Sequence, residues 1–249
     1  MAKKIKVDLR EFSNLVLLGQ KDLVVEDGVV IYSPVCPDYH FEEIKNLFGQ
    51  SERVHDFDGL GEGKGIVYEK LITQTNGLLR RLEELKVEYR HLLLVADVEG
   101  TDKVILNKLR ITKDEFIRRC RKTCREINRD LKRRKLLNSR CELMGKFFEE
   151  EGYDFYGKIE EIAKKSDASS GLLRGVREVR LPLHRFWFGL ANEQSYERSI
   201  REAAMYASFG HCSKISDGII LCADSEVLSG CYNLLKKKKT PAIYLKGSY

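Results

Sequence analysis

The part of the sequence that most constrains the fold is a continuous apolar run, HLLLVA at positions 91–96, which ends at Asp97. A short apolar run that stops at a polar residue is typical of a strand buried inside a sheet. Comparable runs recur along the chain. The strands predicted in this way are 14–19, 28–33, 89–96, 218–223 and 241–246.

Amphipathic patterns of helical period separate most of these runs. The predicted helices are 41–48, 66–86, 112–135, 142–150, 154–165, 192–208 and 225–237. Strands that alternate with helices predict an α/β fold, in which a parallel sheet carries helices on both faces. In such folds ligands bind at the carboxyl ends of the strands, where the strand order reverses.

Composition bounds the class of protein. The chain has 249 residues, 43% apolar and 33% charged, which is typical of a globular protein of one large domain or two small ones. Its seven Cys and five His show no CxxC, HxxxH or zinc-finger spacing, so we expect reduced cysteines and no metal. No signal-peptide pattern occurs and no apolar run approaches the ~20 residues of a membrane span. We therefore expect a cytoplasmic protein with no membrane partner.

Residues 112–135 predict a strongly basic helix. Thr112 followed by Glu115 is a capping box, which marks the start of the helix. Positions 113–135 contain eleven Lys or Arg against four Asp or Glu, a local excess of seven positive charges in a chain whose net charge is +6. The residues expected to contact a polyanion are Arg118, Arg119, Arg121, Lys122, Arg125, Arg129, Lys132 and Arg133.

Such a row of cations can bind successive phosphates, and Arg can do so with two hydrogen bonds. Aromatic residues are scarce in this helix, which favours contact with the backbone of a structured RNA over stacking on single-stranded bases. A solvated amphipathic helix is the alternative that the pattern leaves open.

Two loops follow the predicted 28–33 strand. SPVCPDYH, at 33–40, contains two prolines, which predicts an exposed loop at the strand end. Ser33 is the favoured nucleophile there and Cys36 the second candidate, while ordinary turn chemistry is equally open. GLGEGKG, at 59–65, can hold a phosphate before a helix, but it fits neither GxGxxG nor the P-loop spacing, so a surface loop is the alternative and no nucleotide cofactor is expected.

Glu202 and Tyr206 lie four residues apart on the predicted 192–208 helix and so share a face. A carboxylate beside a phenol is suited to proton transfer, although such pairs are also common on ordinary surfaces.

Three stretches together resemble the tRNA-dependent cyclodipeptide synthases, whose Rossmann-like domain is similar to the core of class-I aminoacyl-tRNA synthetases. IYSPVCPDY places Ser33 at the family's nucleophilic serine. LLLVADVEGTDKVILNKLRITKDEFIRRCRKTCREINRDLKRRK repeats the family's strand, polar linker and arginine-dense tRNA-binding helix. REAAMYASFGHCSKISDGIILCADSEVLSGCY is similar in outline to its late helix and strand, with Tyr206 at the family's tyrosine. Gly210 stands where the family has a glutamate, so the acid would be Glu202 or a residue elsewhere in the chain.

The resemblance implies a single Rossmann-like catalytic domain over residues 1–249. It implies that Ser33 accepts an aminoacyl group from one aminoacyl-tRNA, that a second aminoacyl-tRNA attacks, and that the dipeptide cyclises. No cofactor is needed because the ester is already activated. Tyr206 and Glu202 would move protons, and the residues expected to bind substrate are Cys36, Asp38, Tyr39 and Asp97.

Two other functions stay open from the sequence. One is an RNA- or nucleotide-binding Rossmann-like module, RNA-modifying or non-catalytic, that uses residues 59–65 as an anion site. The other is a protein-interaction domain whose basic helix contacts an acidic partner.

Overall fold

A computed structural model describes residues 4–17, 22–35, 37, 66–165, 192–212, 215, 217–222 and 240–245. The strands are β1 (Lys4–Val7), β2 (Leu15–Leu17), β3 (Leu23–Glu26), β4 (Val29–Val35), β5 (Tyr89–Val95), β6 (Ser139–Leu143), β7 (Ile219–Cys222) and β8 (Ala242–Leu245). The helices are α1 (Ile66–Glu84), α2 (Lys103–Leu109), α3 (Lys113–Arg133), α4 (Met144–Glu150), α5 (Phe155–Lys165) and α6 (Asn192–His211), with 3-10 turns at Leu9–Glu11 and Asp97–Thr101.

The main sheet has the strand order β2-β8-β7-β4-β5-β6, and β1 pairs with β3 in a separate antiparallel sheet. Only β2 is antiparallel to its neighbour in the main sheet. Numbered along the chain, the five parallel strands are arranged 3-2-1-4-5, which is the Rossmann order. The predicted α/β, Rossmann-like fold is confirmed, and the strand order reverses between β4 and β7.

Helices cover both faces of the sheet, as predicted. Side chains alternate along each strand, so Ile31 packs with the helices α1 and α3, whereas its neighbour Tyr32 packs with α4, α5 and α6. We call these the α1/α3 face and the α4–α6 face. Every site residue on a strand therefore belongs to one face or the other.

The predicted end of the strand at Ser33 was wrong, because β4 continues through Pro34 to Val35. Proline has no N–H to donate to a sheet. The pairing of β4 with β7 ends at Tyr32, so no described strand on the β7 side requires an N–H from position 34. The other side of β4 stays paired with β5 through Val35.

The strand β6 was missed, because its sequence SRCEL was assigned to a polar segment and the start of a helix. Its alternation is nevertheless that of a strand with one buried side, since Ser139, Cys141 and Leu143 are buried while Arg140 is exposed. The predicted helices at 41–48 and 225–237 and the loop at 59–65 lie outside the described residues.

The side chain of Asn128 fixes α3 to the edge of the sheet. Its Nδ2 donates to the Cys141 carbonyl oxygen at 2.7 Å, and its Oδ1 accepts from the Cys141 N–H at 2.9 Å. Because β6 is the last of the described strands of the sheet, no described strand pairs with these two backbone groups on that side. The amide of Asn128 takes the place of a neighbouring strand and satisfies both groups.

Replacing Asn128 with Ala removes both hydrogen bonds and leaves the two Cys141 backbone groups unpaired. We expect the free energy of unfolding, measured by urea denaturation, to fall by about 2 kcal/mol. Asn107→Ala on α2, an exposed position, is the control and should change it by less than about 0.5 kcal/mol. Equal stability of the two variants would show that the bridge contributes nothing.

Candidate functional site

The helix α3 presents one buried side and one basic side. Thr112 caps its start as predicted, with its hydroxyl oxygen accepting from the Glu115 N–H at 3.2 Å. The side toward the sheet is formed by Phe116, Cys120, Thr123, Cys124, Ile127, Asp130 and Leu131. The exposed cations in the middle and second half of the helix therefore project from the opposite side.

A row of exposed cations runs along α3 with a spacing of three or four residues, so its members share one face. We call this row the basic stripe; its members are Arg118, Arg121, Arg125, Arg129 and Lys132. At 1.5 Å per residue the stripe is about 21 Å long. Arg118 is paired with Glu115 at 2.6 Å, whereas the other four form no ion pair within 4.0 Å with any residue that the structure describes. Most of the positive charge of the stripe is thus left for a partner.

Other predicted contact residues lie at the margin of the stripe. Lys122 is half-buried, and the Arg119 side chain is only 13% exposed and pairs with Glu115 at 2.6 Å. Burial lowers the pKa of Arg119. Arg133 is 78% exposed but is paired with Asp130. These three are less available to a polyanion than the stripe itself.

The end of α3 is anchored to the start of α1 through Asp130. The Tyr68 hydroxyl donates to this carboxylate at 2.8 Å, and the Arg134 Nε donates to it at 2.6 Å. Arg134 also binds Glu69 at 2.6 Å. Burial alone would raise the pKa of Asp130, but the hydrogen bonds from Tyr68, Arg134 and Arg133 lower it below its ordinary value. The carboxylate therefore stays ionised, and the helix end is fixed.

Ser33 is joined to two side chains of neighbouring strands on the α1/α3 face. Its Oγ lies 2.9 Å from the Nε2 of His91 on β5, and the His91 Nδ1 lies 3.4 Å from the Oγ of Ser139 on β6. Burial lowers the pKa of His91 to about 4, so the imidazole is neutral at pH 7. A neutral imidazole has one donor and one acceptor nitrogen, so one of the two serine hydroxyls accepts a hydrogen bond from the ring and the other donates one to it.

This geometry corrects the predicted surroundings of Ser33. The side chain lies within β4 and has 0% exposure, whereas the sequence predicted an exposed loop. The hydroxyl has a candidate base in His91, which was missed because it was weighed only as a metal ligand. The predicted neighbours Cys36, Asp38 and Tyr39 lie outside the described residues.

The helix α6 packs on the other side of the sheet. Its residues Ala204 and Met205 belong to the α4–α6 face, together with Tyr32 and Leu94. The backbone of Glu202 and Tyr206 belongs to α6, but their side chains are outside the described part of the chain. The structure therefore does not bring α6 and the Ser33 hydroxyl to one face of the sheet.

Asp97 lies directly after β5, at the carboxyl end of the strand, as predicted, and it is only 3% exposed. Its Oδ1 accepts from the Gly145 N–H at 2.7 Å, and its Oδ2 accepts from the Tyr156 hydroxyl at 3.2 Å. Burial raises the pKa of Asp97, and the Gly145 and Tyr156 hydrogen bonds and the charge of Arg121 oppose that rise. Asp97 is thus close to the first half of the basic stripe.

Tyr156 reaches Asp97 only because residue 145 is glycine. A Cβ at that position would overlap the Tyr156 hydroxyl. The Lys113 Nζ lies 5.8 Å from the centre of the Tyr156 ring, a cation–π distance. No pattern in the sequence points to Tyr156, which lies 59 residues from its partner Asp97.

The same turn after β5 is joined to α6 by buried ion pairs. Arg198 binds Asp102 at 2.8 Å and Glu99 at 3.3 Å, and all three side chains are at most 7% exposed. Arg201 binds Glu160 at 2.6 Å. A small pocket, open to solvent, lies between this turn, α5 and α6. The carboxyl end of β5 is therefore surrounded by α3, α4, α5 and α6.

Among the described residues, no group of three or more His, Cys, Asp or Glu is arranged to hold a metal ion. No helix in the same residues is long and apolar enough to cross a membrane. Cysteines 120, 124, 141, 212 and 222 are buried, and none forms a disulfide within the part of the chain that the structure describes.

The chain matches no family model and no curated protein. Its function is therefore inferred from its own residues and geometry.

His91 should make the stability of the protein depend on pH. Its pKa is about 4 when folded and about 6.5 when unfolded, so between these values only the unfolded state binds the proton. Stability is complete above pH 6.5 and is lost as the pH falls toward 4. From pH 7 to pH 5 we expect the free energy of unfolding of the native protein to fall by about 2 kcal/mol more than that of His91→Gln. Denaturant titrations at both pH values measure this, and parallel losses would contradict the assignment.

Proposed function

We propose that this protein binds a structured RNA along the basic stripe and uses aminoacyl-tRNA as the substrate of an aminoacyltransferase. The observation that carries the proposal is the row of exposed cations on α3, four of which form no ion pair within the described residues. The proposal has two parts, RNA binding and acyl transfer, and each part has its own support and its own test.

The stripe supports RNA binding through its spacing and its rigidity. Each member can neutralise one phosphate, and the release of condensed counterions then drives binding. The helix is already held in place by Asn128 and Asp130, so little conformational freedom is lost when the RNA binds. The stripe carries no aromatic side chain, which favours a duplex backbone over stacked single-stranded bases.

The direction of α3 supports a substrate carried on the RNA. The chain leaves β5 at its carboxyl end and enters β6 at its amino end, so α3 begins at the edge of the sheet where Rossmann-like proteins bind ligands. Asp97 and Tyr156 lie at that edge, next to Arg121. An RNA that follows the stripe would have one end beside them.

For acyl transfer, Ser33 supplies the oxygen nucleophile and His91 the base. The Ser33 oxygen would attack the carbonyl carbon of the aminoacyl ester, its proton would pass to His91 Nε2, and the ribose hydroxyl of the tRNA would leave with a proton returned from His91. The amine of a second aminoacyl-tRNA would then attack the acyl-serine ester, which would release the Ser33 hydroxyl and form a dipeptidyl-tRNA. Attack of the free amine of the dipeptide on the remaining ester would close the ring and release the second tRNA. Because Ser33 has no exposed surface, this chemistry requires the α1/α3 face to open above it.

The burial of Ser33 favours a second candidate, an RNA-binding Rossmann-like module that performs no chemistry at this serine. In that case Ser33, His91 and Ser139 join three strands and have only a structural role. Both candidates use the same RNA-binding stripe, so the acyl-transfer experiment below separates them.

Reversing three charges of the stripe tests RNA binding. We expect Arg121→Glu, Arg125→Glu and Arg129→Glu together to weaken tRNA binding by more than about tenfold and to lower the slope of log affinity against log salt by about three. The measurement is a filter-binding titration over a range of salt concentrations. The matched control reverses Lys146, Lys158 and Lys164, exposed positions on α4 and α5.

The control changes the net charge by the same amount and should retain most of the affinity. Equal losses in the two triple variants would mean that only net charge matters. Unchanged binding in the stripe variant would exclude α3 as the RNA surface.

Incubation of the purified protein with aminoacyl-tRNAs tests the reaction. We expect mass spectrometry to detect a cyclic dipeptide with the native protein and with Ser13→Ala, an exposed serine far from β4 in sequence, but not with Ser33→Ala. His91→Gln should slow product formation and remove the loss of activity that protonation of His91 causes as the pH falls toward 4. Normal tRNA binding without any product from the native protein would support the non-catalytic module instead.

A further inference from the structure

The turn between α3 and β6, residues 134–138, holds its backbone in a fixed conformation. Lys135 has φ 60, the left-handed conformation that ends many helices. The Leu136 N–H donates to the Leu131 carbonyl at 2.9 Å, and the Asn138 carbonyl accepts from the His91 N–H at 2.8 Å. Bonds on both sides of Leu137 therefore fix its position.

Leu137 nevertheless projects into solvent. It is 82% exposed, compared with 45% for Val24, the next most exposed large apolar residue among those described. The preceding Leu136 is half-buried against the core, so the turn directs one leucine inward and the next outward. A leucine held outward by a rigid turn is available to a partner without a loss of chain freedom.

The surroundings of Leu137 are basic. Lys135 is exposed, and so are Arg133 (78%) and Arg140 (61%), although Arg133 is paired with Asp130 and Arg140 with Glu142. This positive rim continues the basic stripe past Lys132, around the end of α3. A partner at Leu137 must therefore be an anion that also offers an apolar surface.

We infer that Leu137 is a non-ionic contact of the RNA interface, packed in the minor groove of a duplex whose phosphates lie on the basic stripe. This inference rests on the proposed RNA binding. The minor groove of an RNA helix is wide and shallow and displays ribose and base edges, which an aliphatic side chain can cover. Apolar side chains make comparable minor-groove contacts in proteins that bind DNA. Leu137 would thus bury apolar surface at one end of the RNA interface, whereas the basic stripe contributes only charged contacts.

The salt dependence of binding separates this contact from the ionic ones. We expect Leu137→Ser to weaken binding of duplex RNA about fivefold to tenfold at every salt concentration, with the slope of log affinity against log salt unchanged. Lys132→Gln should lower that slope by about one. Val24→Ser, which removes an exposed apolar side chain from β3, should leave both quantities unchanged.

Each other result has a distinct meaning. If the native protein binds no RNA, the proposed function itself fails. If it binds RNA and Leu137→Ser matches the native affinity, the contact is excluded while the stripe remains. If Leu137→Ser alters the sedimentation of the free protein but not its RNA affinity, Leu137 contacts a second copy of the chain and the inference is overturned.

Discussion

The position of α3 depends on the amide of Asn128, which closes the open edge of β6. The first half of the helix packs on the turn after β5, where Phe116 lies so close to Gly100 that a Cβ at position 100 would be only 3.0 Å from its ring. The end of the helix is fixed by Asp130 and Arg134. The like charges on one side of α3 repel one another and destabilise the isolated helix. Its order therefore comes from contacts on the buried side, and the same contacts hold the cations of the stripe at fixed spacing.

Two groups of buried polar side chains lie at different places on the sheet. Ser33, His91 and Ser139 are buried on the α1/α3 face. The surroundings of Asp97 lie at the carboxyl edge of β5, where α4, α5 and α6 meet the start of α3. A reaction at Ser33 and substrate recognition at Asp97 would need a substrate that reaches around this edge. The stripe begins at the same edge, so the RNA of the proposed function would reach this edge from the stripe.

Much of the fold follows from the sequence because its signals are local. The apolar run of β5, the helical period of α1 and the cap of α3 each lie within one short segment. The end of β4 was misjudged because the effect of Pro34 depends on where β7 stops pairing, and β6 was missed because a short edge strand needs only alternating burial. The position of Asp97 could be predicted because the strand ends beside it. The contacts of His91 and Tyr156 could not, because their partners Ser33 and Asp97 lie 58 and 59 residues away.

The close approach of Tyr156 to Gly145 has a consequence for the history of the protein. A Cβ at position 145 would overlap the Tyr156 hydroxyl, so position 145 can gain a side chain only if residue 156 is shortened or moves. In homologous chains we expect the two positions to change together: tyrosine at 156 should be accompanied by glycine at 145, and a larger residue at 145 by a shorter one at 156. Where both have changed, the carboxylate after β5 has to find another donor or be replaced as well.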